Sequence, residues 1–319
     1  MAFHAPRLPE ASEPPALSGL TAAVVTPLTP DGALDVATFE RIVDMLLEAG
    51  AAGICLGGAT AEYPHTSLAE RVALMRQAGR RVSSGTRLVV GIGAAAPRDV
   101  VPLGEAAFEA GAAAVLLSMP LFFPYAQDDL DAFARDVTHR LPGPVLLYDL
   151  PSFTTPLATD TILTLLEEVP NIVGIKDSSG ARERLPALVA RRGDRPWRLI
   201  VGDDNVLAEA LMAGWDGSIS GVAGFCPELL VALTDAGLAG DHARTSELAT
   251  LLQDLIAQLG TLPTPWSIRV GLAARGIDTG PLPLPLSPRR VTQAAAFQAW
   301  LPPWLDRLGE TLGQAMFGR

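Results

Sequence analysis

The sequence predicts an α/β protein, a (β/α)8 TIM barrel with additional C-terminal helices. Three observations point there. Eight short apolar runs alternate with segments of helical spacing. Successive runs start roughly 20–35 residues apart, the size of one βα unit. Several runs are apolar throughout rather than alternating, as a parallel sheet covered on both faces requires. The rival architecture is an open doubly wound sheet, which usually carries a glycine fingerprint after its first strand. Here Thr26-Pro27-Leu28-Thr29-Pro30 follows the first run instead.

The elements are expected in the following order. The run Thr21–Val25 leads to a helix over Val36–Ala49, whose apolar residues at 36, 39, 42, 43, 46 and 47 fall on one helical face. Gly53–Leu56 precedes Leu68–Val82, Leu88–Ile92 precedes Pro97–Ala110, and Ala114–Met119 precedes Asp128–His139. Val145–Asp149 precedes Thr159–Glu168, Ile172–Lys176 precedes Arg182–Ala190, and Arg198–Gly202 precedes Val206–Ala213. Gly217–Ser220 is the eighth strand. Helices are then expected at Asp241–Gly260, Pro265–Arg275 and Ser287–Gly313, the last opening on a serine cap followed by proline at the first helical position. The proline-rich connector 281–288 reads as a stiff linker, or alternatively as a polyproline ligand. The expected organisation is a loose tail over 1–18, a barrel over 19–240 and a helical extension over 241–319.

Composition narrows the function classes. Apolar residues make up 49% of the chain, enough for a large core. No apolar stretch reaches the roughly 18 residues that span a bilayer, and the first residues lack the basic start and apolar middle of a secretory signal. A net charge of −11 argues against nucleic-acid and anionic-membrane partners, which reward a basic surface. The two cysteines, Cys55 and Cys226, lie in apolar segments and read as buried free thiols of a cytoplasmic protein.

The most informative residue is Lys176. It is the single lysine among 24 basic side chains. Arginine substitutes for lysine on a solvated surface but cannot become a neutral amine nucleophile. Lys176 closes the apolar run Ile172-Val173-Gly174-Ile175, and a turn follows at Asp177-Ser178-Ser179-Gly180. An amine at the end of a buried strand is desolvated, which favours its neutral, nucleophilic form. Lys176 is therefore a candidate for a Schiff base with a carbonyl substrate.

Other candidates lie at strand ends, where a barrel of this kind places its site. After the second strand, Gly57 and Gly58 let the backbone approach a ligand, and the amides of Ala59 and Thr60 with the Thr60 hydroxyl can bind a carboxylate. The loop also reads as a plain glycine turn. Tyr148, at the end of the fifth strand, is one βα unit before Lys176 and can shuttle protons beside a Schiff base. Asp203 and Asp204 invite a metal or the capping of a helix, and capping fits better. With four histidines, and only His65 near the presumed site, no metal is expected.

Taken together, these motifs resemble the dihydrodipicolinate synthase / N-acetylneuraminate lyase family. Gly58-Ala59-Thr60-Ala61-Glu62 looks like its Gly-(Ser/Thr)-Thr-Gly-Glu loop, Tyr148-Asp149-Leu150-Pro151 like its Tyr-Asn-x-Pro motif, and Gly174–Ser179 like the segment around its Schiff-base lysine. Gly202-Asp203-Asp204 and Gly217–Gly221 match in order. The resemblance implies class I chemistry on pyruvate or another 2-oxo acid in a homo-oligomer, a tetramer or dimer, with no cofactor beyond the covalent lysine imine. Carried over, Lys176 forms the imine and Tyr148 shuttles protons. Gly58, Ala59 and Thr60 hold the carboxylate, Thr60 also meeting Tyr148, while Gly202 and Ile219 line the pocket.

Departures from the family pattern bear on the substrate. Phe153 stands where the synthase carries an arginine that grips its second substrate's carboxylate. Phe122 and Phe123 occupy positions where relatives carry a relay tyrosine that crosses a subunit interface. Tyr125 is offset from those positions by two residues or more. Glu62-Tyr63-Pro64 is closer to the Glu-Phe-Pro of hydroxy-oxo-acid aldolases. The expected function is a Schiff-base lyase that cleaves or forms a C–C bond beside a 2-oxo acid, with an aldehyde as second partner. The alternatives are the synthase itself, a deoxy-oxo sugar acid dehydratase, and a 2-oxo acid binding barrel without turnover.

Overall fold

The computed structural model describes residues 17–82, 85–263 and 265–313. Eight parallel strands close into a barrel in chain order. They are β1 (Gly19–Ala23), β2 (Gly53–Leu56), β3 (Arg87–Gly91), β4 (Ala114–Ser118), β5 (Val145–Asp149), β6 (Ile172–Asp177), β7 (Arg198–Val201) and β8 (Gly217–Ser220). The connecting helices are α1 (Val36–Glu48), α2 (Leu68–Arg81), α3 (Val100–Glu109), α4 (Gln127–His139), α5 (Thr159–Glu168), α6 (Arg184–Arg192) and α7 (Leu207–Met212). After β8 come α8 (Pro227–Leu238), α9 (His242–Leu259), α10 (Trp266–Ala274) and α11 (Pro288–Leu312).

Two apolar layers hold this arrangement. Outward-facing strand residues such as Ile54, Leu88, Val115, Leu147 and Ile175 pack under the helices. Inward-facing residues, among them Ala23, Cys55, Val89, Leu116, Leu146, Ile200 and Ile219, fill the lumen. Because side chains alternate along a strand, continuous apolar runs supply both layers at once. Leu17, expected in the tail, is buried in the lumen layer, and Ser18 accepts a hydrogen bond from Arg87. The rest of that stretch, 1–16, lies outside the described residues.

The strand β1 begins and ends two residues earlier than its apolar run. Gly19 pairs with Gly217 of β8, and a Cβ on Gly217 would fall 2.2 Å from the Gly19 carbonyl oxygen. Close approach of two glycines sets the start of the strand, a feature invisible to an apolar count. The helix expected over Pro97–Ala110 opens with a 3-10 turn at Pro97–Asp99. Pro302 and Pro303 sit inside α11, where each lacks an amide donor. The helix continues because Leu301, Trp304, Leu305 and Leu308 are buried and Trp300 stacks on both Phe297 and Trp304. Among the described residues no helix is long and apolar enough to cross a membrane.

Candidate active site

Lys176 and Tyr148 pair across the β5–β6 register, and both are nearly fully buried, 5% and 3% exposed. The neighbouring Leu146 and Ile200 fill the lumen, so alternation points Tyr148 and Lys176 inward. The Lys176 Nζ lies 4.2 Å from the centre of the Tyr148 ring. No ion pair to Lys176 is present among the described residues. An amine held against a phenol at a buried strand end has a group able to exchange protons beside it.

The next residue on each strand points the other way. Asp149 and Asp177 face outward, and one guanidinium bridges them. Arg184 Nη1 of α6 lies 2.6 Å from Asp149 Oδ2 and 3.1 Å from Asp177 Oδ2, while Nη2 donates to the Leu157 carbonyl at 3.0 Å. Asp149 also accepts from the Leu157 amide and Asp177 from the Ser179 amide. Burial raises the Asp149 carboxyl above its ordinary range, against the opposing pull of Arg184. This buried cluster pins the ends of the two strands that carry Tyr148 and Lys176.

Space around the amine is set by glycine. A Cβ on Gly202 would fall 2.6 Å from Lys176 Cε and 2.1 Å from Ser178 Oγ. Gly58 is buried, yet a Cβ there would meet nothing within 4 Å. The carbonyls of Gly58 and Ala59 close turns to the amides of Ala61 and Glu62. No hydrogen bond among the described residues uses the Ala59 or Thr60 amide as donor, which leaves both for a ligand. A Cβ on Gly221 would lie 2.9 Å from Thr60 Oγ1, so Thr60 lies against the β8 end. Thr60 and Tyr148 are not hydrogen-bonded to each other. Ile219 lies in the lumen layer with Cys55, whose thiol burial pushes up to about 11.

The β2 loop is fixed from outside by Arg269. Its guanidinium pairs with Glu62 at 3.0 Å and donates to the carbonyls of Thr26 and Thr279. Glu62 itself has a left-handed backbone, φ 53°. Asp203 caps the turn after β7 by accepting from the Asn205 amide at 3.0 Å. Asp204 is half-buried, and its partial burial raises its carboxyl to about 6 against the opposing pull of the Ser220 hydroxyl. No group of three His, Cys, Asp or Glu able to hold a metal occurs among the described residues.

The three phenylalanines lie at the rim. Phe122, Phe123 and Phe153 are 90%, 61% and 60% exposed, on the loops that follow β4 and β5. Tyr125 packs against the outer core rather than in the lumen. Sequence reasoning missed Arg184, Arg269, Arg71 and Ser118. Nothing distinguishes these arginines from the others by local pattern, and Ser118 ends an apolar run as any terminating polar residue does. The signal that could have found Ser118 is register, since it stands opposite Tyr148.

Comparison with known proteins places this geometry. A sequence model of the dihydrodipicolinate synthetase family matches residues 16–301. The 4-hydroxy-tetrahydrodipicolinate synthase of Sorangium cellulosum is 33% identical over 274 residues, covering 85% of this chain and 91% of that protein. The 4-hydroxy-tetrahydrodipicolinate synthase 1 of Streptomyces coelicolor is 34% identical, covering 87% and 91%. The 4-hydroxy-tetrahydrodipicolinate synthase of Methylacidiphilum fumariolicum superposes with a TM-score of 0.85 at 26% identity, covering 93% of this chain and 99% of that one. A prophage protein of E. coli K12 from the dihydrodipicolinic acid synthase family, solved with pyruvate, gives 0.82 at 28% identity, covering 93% and 99%.

Proposed function

The chain belongs to the dihydrodipicolinate synthetase family, and on that premise we propose how its site works. It is a class I lyase acting on pyruvate or a related 2-oxo acid. The Lys176 Nζ attacks the ketone carbon, water leaves, and the resulting imine accepts the electron pair released when the C–C bond breaks. Tyr148 carries the proton to and from the departing or arriving oxygen. The amides of Ala59 and Thr60, opened by Gly58, hold the 2-oxo acid carboxylate. Gly202 gives the lysine its room, and Ile219 closes the floor. The observation that carries this reading is a single buried lysine 4.2 Å from the ring of Tyr148 at the mouth of the barrel. The imine is its own electron sink, so no dissociable cofactor is needed.

The second partner is an aldehyde. Phe153 stands 60% exposed where a carboxylate-gripping arginine stands in the synthase, which favours an uncharged or partly apolar aldehyde over an acidic one. The names of the relatives favour the synthase reaction as the second reading. The two separate in one assay: pyruvate release from hydroxy-oxo acids, against condensation of pyruvate with aldehydes that do or do not carry a carboxylate. Cleavage of neutral hydroxy-oxo acids with weak use of acidic aldehydes supports the lyase, and strict dependence on an acidic aldehyde supports the synthase. Turnover with either removes the binding-only reading. Free buried cysteines support a cytoplasmic protein, the acidic net charge supports one that binds neither nucleic acid nor anionic membrane, and family membership supports a homo-oligomer.

A further inference from the structure

The proton relay around Tyr148 lacks a hydroxyl where relatives resembling this chain carry one. Phe122 has none, is 90% exposed, and sits on a left-handed backbone with φ 80°. Two other hydroxyls stand inside the barrel mouth. Ser118 at the end of β4 is in register with Tyr148 at the end of β5, so both side chains point into the lumen from adjacent strands whose backbones run about 4.8 Å apart. Tyr63, from the loop after β2, is buried, which raises its phenol's pKa, while the adjacent Ser118 hydroxyl pulls it down. The buried Ser118 Oγ makes no hydrogen bond to any of the described residues.

Both hydroxyls occupy the space that Gly93 leaves empty after β3. A Cβ there would fall 2.2 Å from Ser118 Oγ and 3.1 Å from Tyr63 Oη. The phenol is also held from behind. The Arg71 guanidinium lies 5.1 Å from the centre of the Tyr63 ring and donates to the carbonyls of Gly91 and Gly93 at 2.8 and 2.7 Å. Arg71 has no carboxylate partner among the described residues, and its charge acts on Tyr63, which also feels Tyr148. The buried guanidinium thus ties the β3 end to the Tyr63 ring and fixes the phenol in place.

The geometry points to Tyr63 and Ser118 as a proton relay to Tyr148 within one subunit, taking the place of the hydroxyl that Phe122 lacks. The inference rests on the Lys176 imine reading. As the amine adds to the ketone, one N–H proton passes to the former carbonyl oxygen, giving a carbinolamine. Tyr148 then protonates that hydroxyl, the C–O bond breaks, water leaves, and the nitrogen lone pair forms the C=N bond. The Tyr148 phenolate regains a proton from Ser118 Oγ, Ser118 from Tyr63 Oη, and Tyr63 from solvent water at the pocket mouth. Tyr63 and Ser118 are positioning residues that act through Tyr148.

The test uses Tyr63→Phe, Ser118→Ala and the double variant with the full chain. Pyruvate binding is read by borohydride trapping, imine formation by its pre-steady-state rate, and turnover by kcat and KM. The relay predicts that the adduct still forms at equilibrium in all variants, that imine formation and kcat fall by about 10²-fold, within the range general acid–base groups supply, and that KM moves less than about threefold. The double variant is no slower than either single one, and the solvent deuterium isotope effect on kcat rises as proton delivery becomes limiting. If Tyr63→Phe loses its circular dichroism, Ser118→Ala decides by the same criteria. Rates within about twofold of wild type overturn the relay while leaving the imine intact. Absence of a trapped adduct in the wild type overturns the imine reading itself.

Discussion

Replacing Arg184 by methionine removes the one cation between two buried carboxylates. Asp149 is 0% exposed and Asp177 about as hidden, and the guanidinium that reaches both is itself 10% exposed. Breaking a buried ion pair from one side costs about 3–5 kcal/mol, because the remaining charge is left without compensation. With roughly 2.1 cal/mol/K of unfolding entropy per residue, the 319-residue chain loses about 4–8 °C in Tm. The loss depends on pH. Burial already raises the Asp149 carboxyl, and without Arg184 it rises further. The native state then binds a proton that the unfolded chain has released, so stability falls as pH rises above the ordinary carboxylate range. Thermal melts at pH 5.5 and pH 8 should show the larger loss at pH 8, with turnover reduced because Tyr148 and Lys176 precede the two acids. A variant that melts within 1 °C of wild type at both pH values refutes the pinning role.

Three further outcomes follow from the site. Gly202→Ala places a methyl group 2.6 Å from Lys176 Cε, so pyruvate trapping should drop at least about tenfold while the fold, read by circular dichroism, is kept. Burial raises the Asp204 carboxyl to about 6, so the native state binds the extra proton between roughly pH 4 and 6 and stability declines across that window as pH rises. Asp204→Asn should remove that part of the slope, on the order of 1–2 kcal/mol after allowance for partial exposure; parallel melting profiles for the two proteins would refute the shift. Phe153→Arg should raise kcat/KM for carboxylate-bearing aldehydes about tenfold relative to neutral ones, as one charge-assisted hydrogen bond supplies. An unchanged ratio would remove Phe153 from the specificity of the site.

Much of the fold was legible because a doubly covered parallel sheet writes itself as apolar runs. The run Val145–Asp149 coincides with its strand, and Ile172–Lys176 falls one residue short of its own. Lys176 was legible because it stands alone among arginines, and Tyr148 because its motif precedes that lysine by one βα unit. The supporting contacts were not. Arg269 meets Thr26 across 243 positions and Glu62 across 207, and Arg184 meets Asp149 across 35. No local periodicity encodes which of 23 arginines folds back onto which carboxylate. The left-handed backbones of Glu62 and Phe122 were equally hidden, since neither residue type favours them. The packing of Thr60 against Gly221 was hidden as well, since the two lie on different loops.

The central claim is that Lys176 is the nucleophile. Borohydride reduction in the presence of pyruvate, followed by peptide mass spectrometry on wild type and Lys176→Arg, tests it directly. The account predicts one reduced pyruvyl adduct on the peptide containing Lys176, and none in the variant, which keeps its fold and loses turnover. No adduct with pyruvate or longer 2-oxo acids, or an adduct that persists in Lys176→Arg, would contradict it.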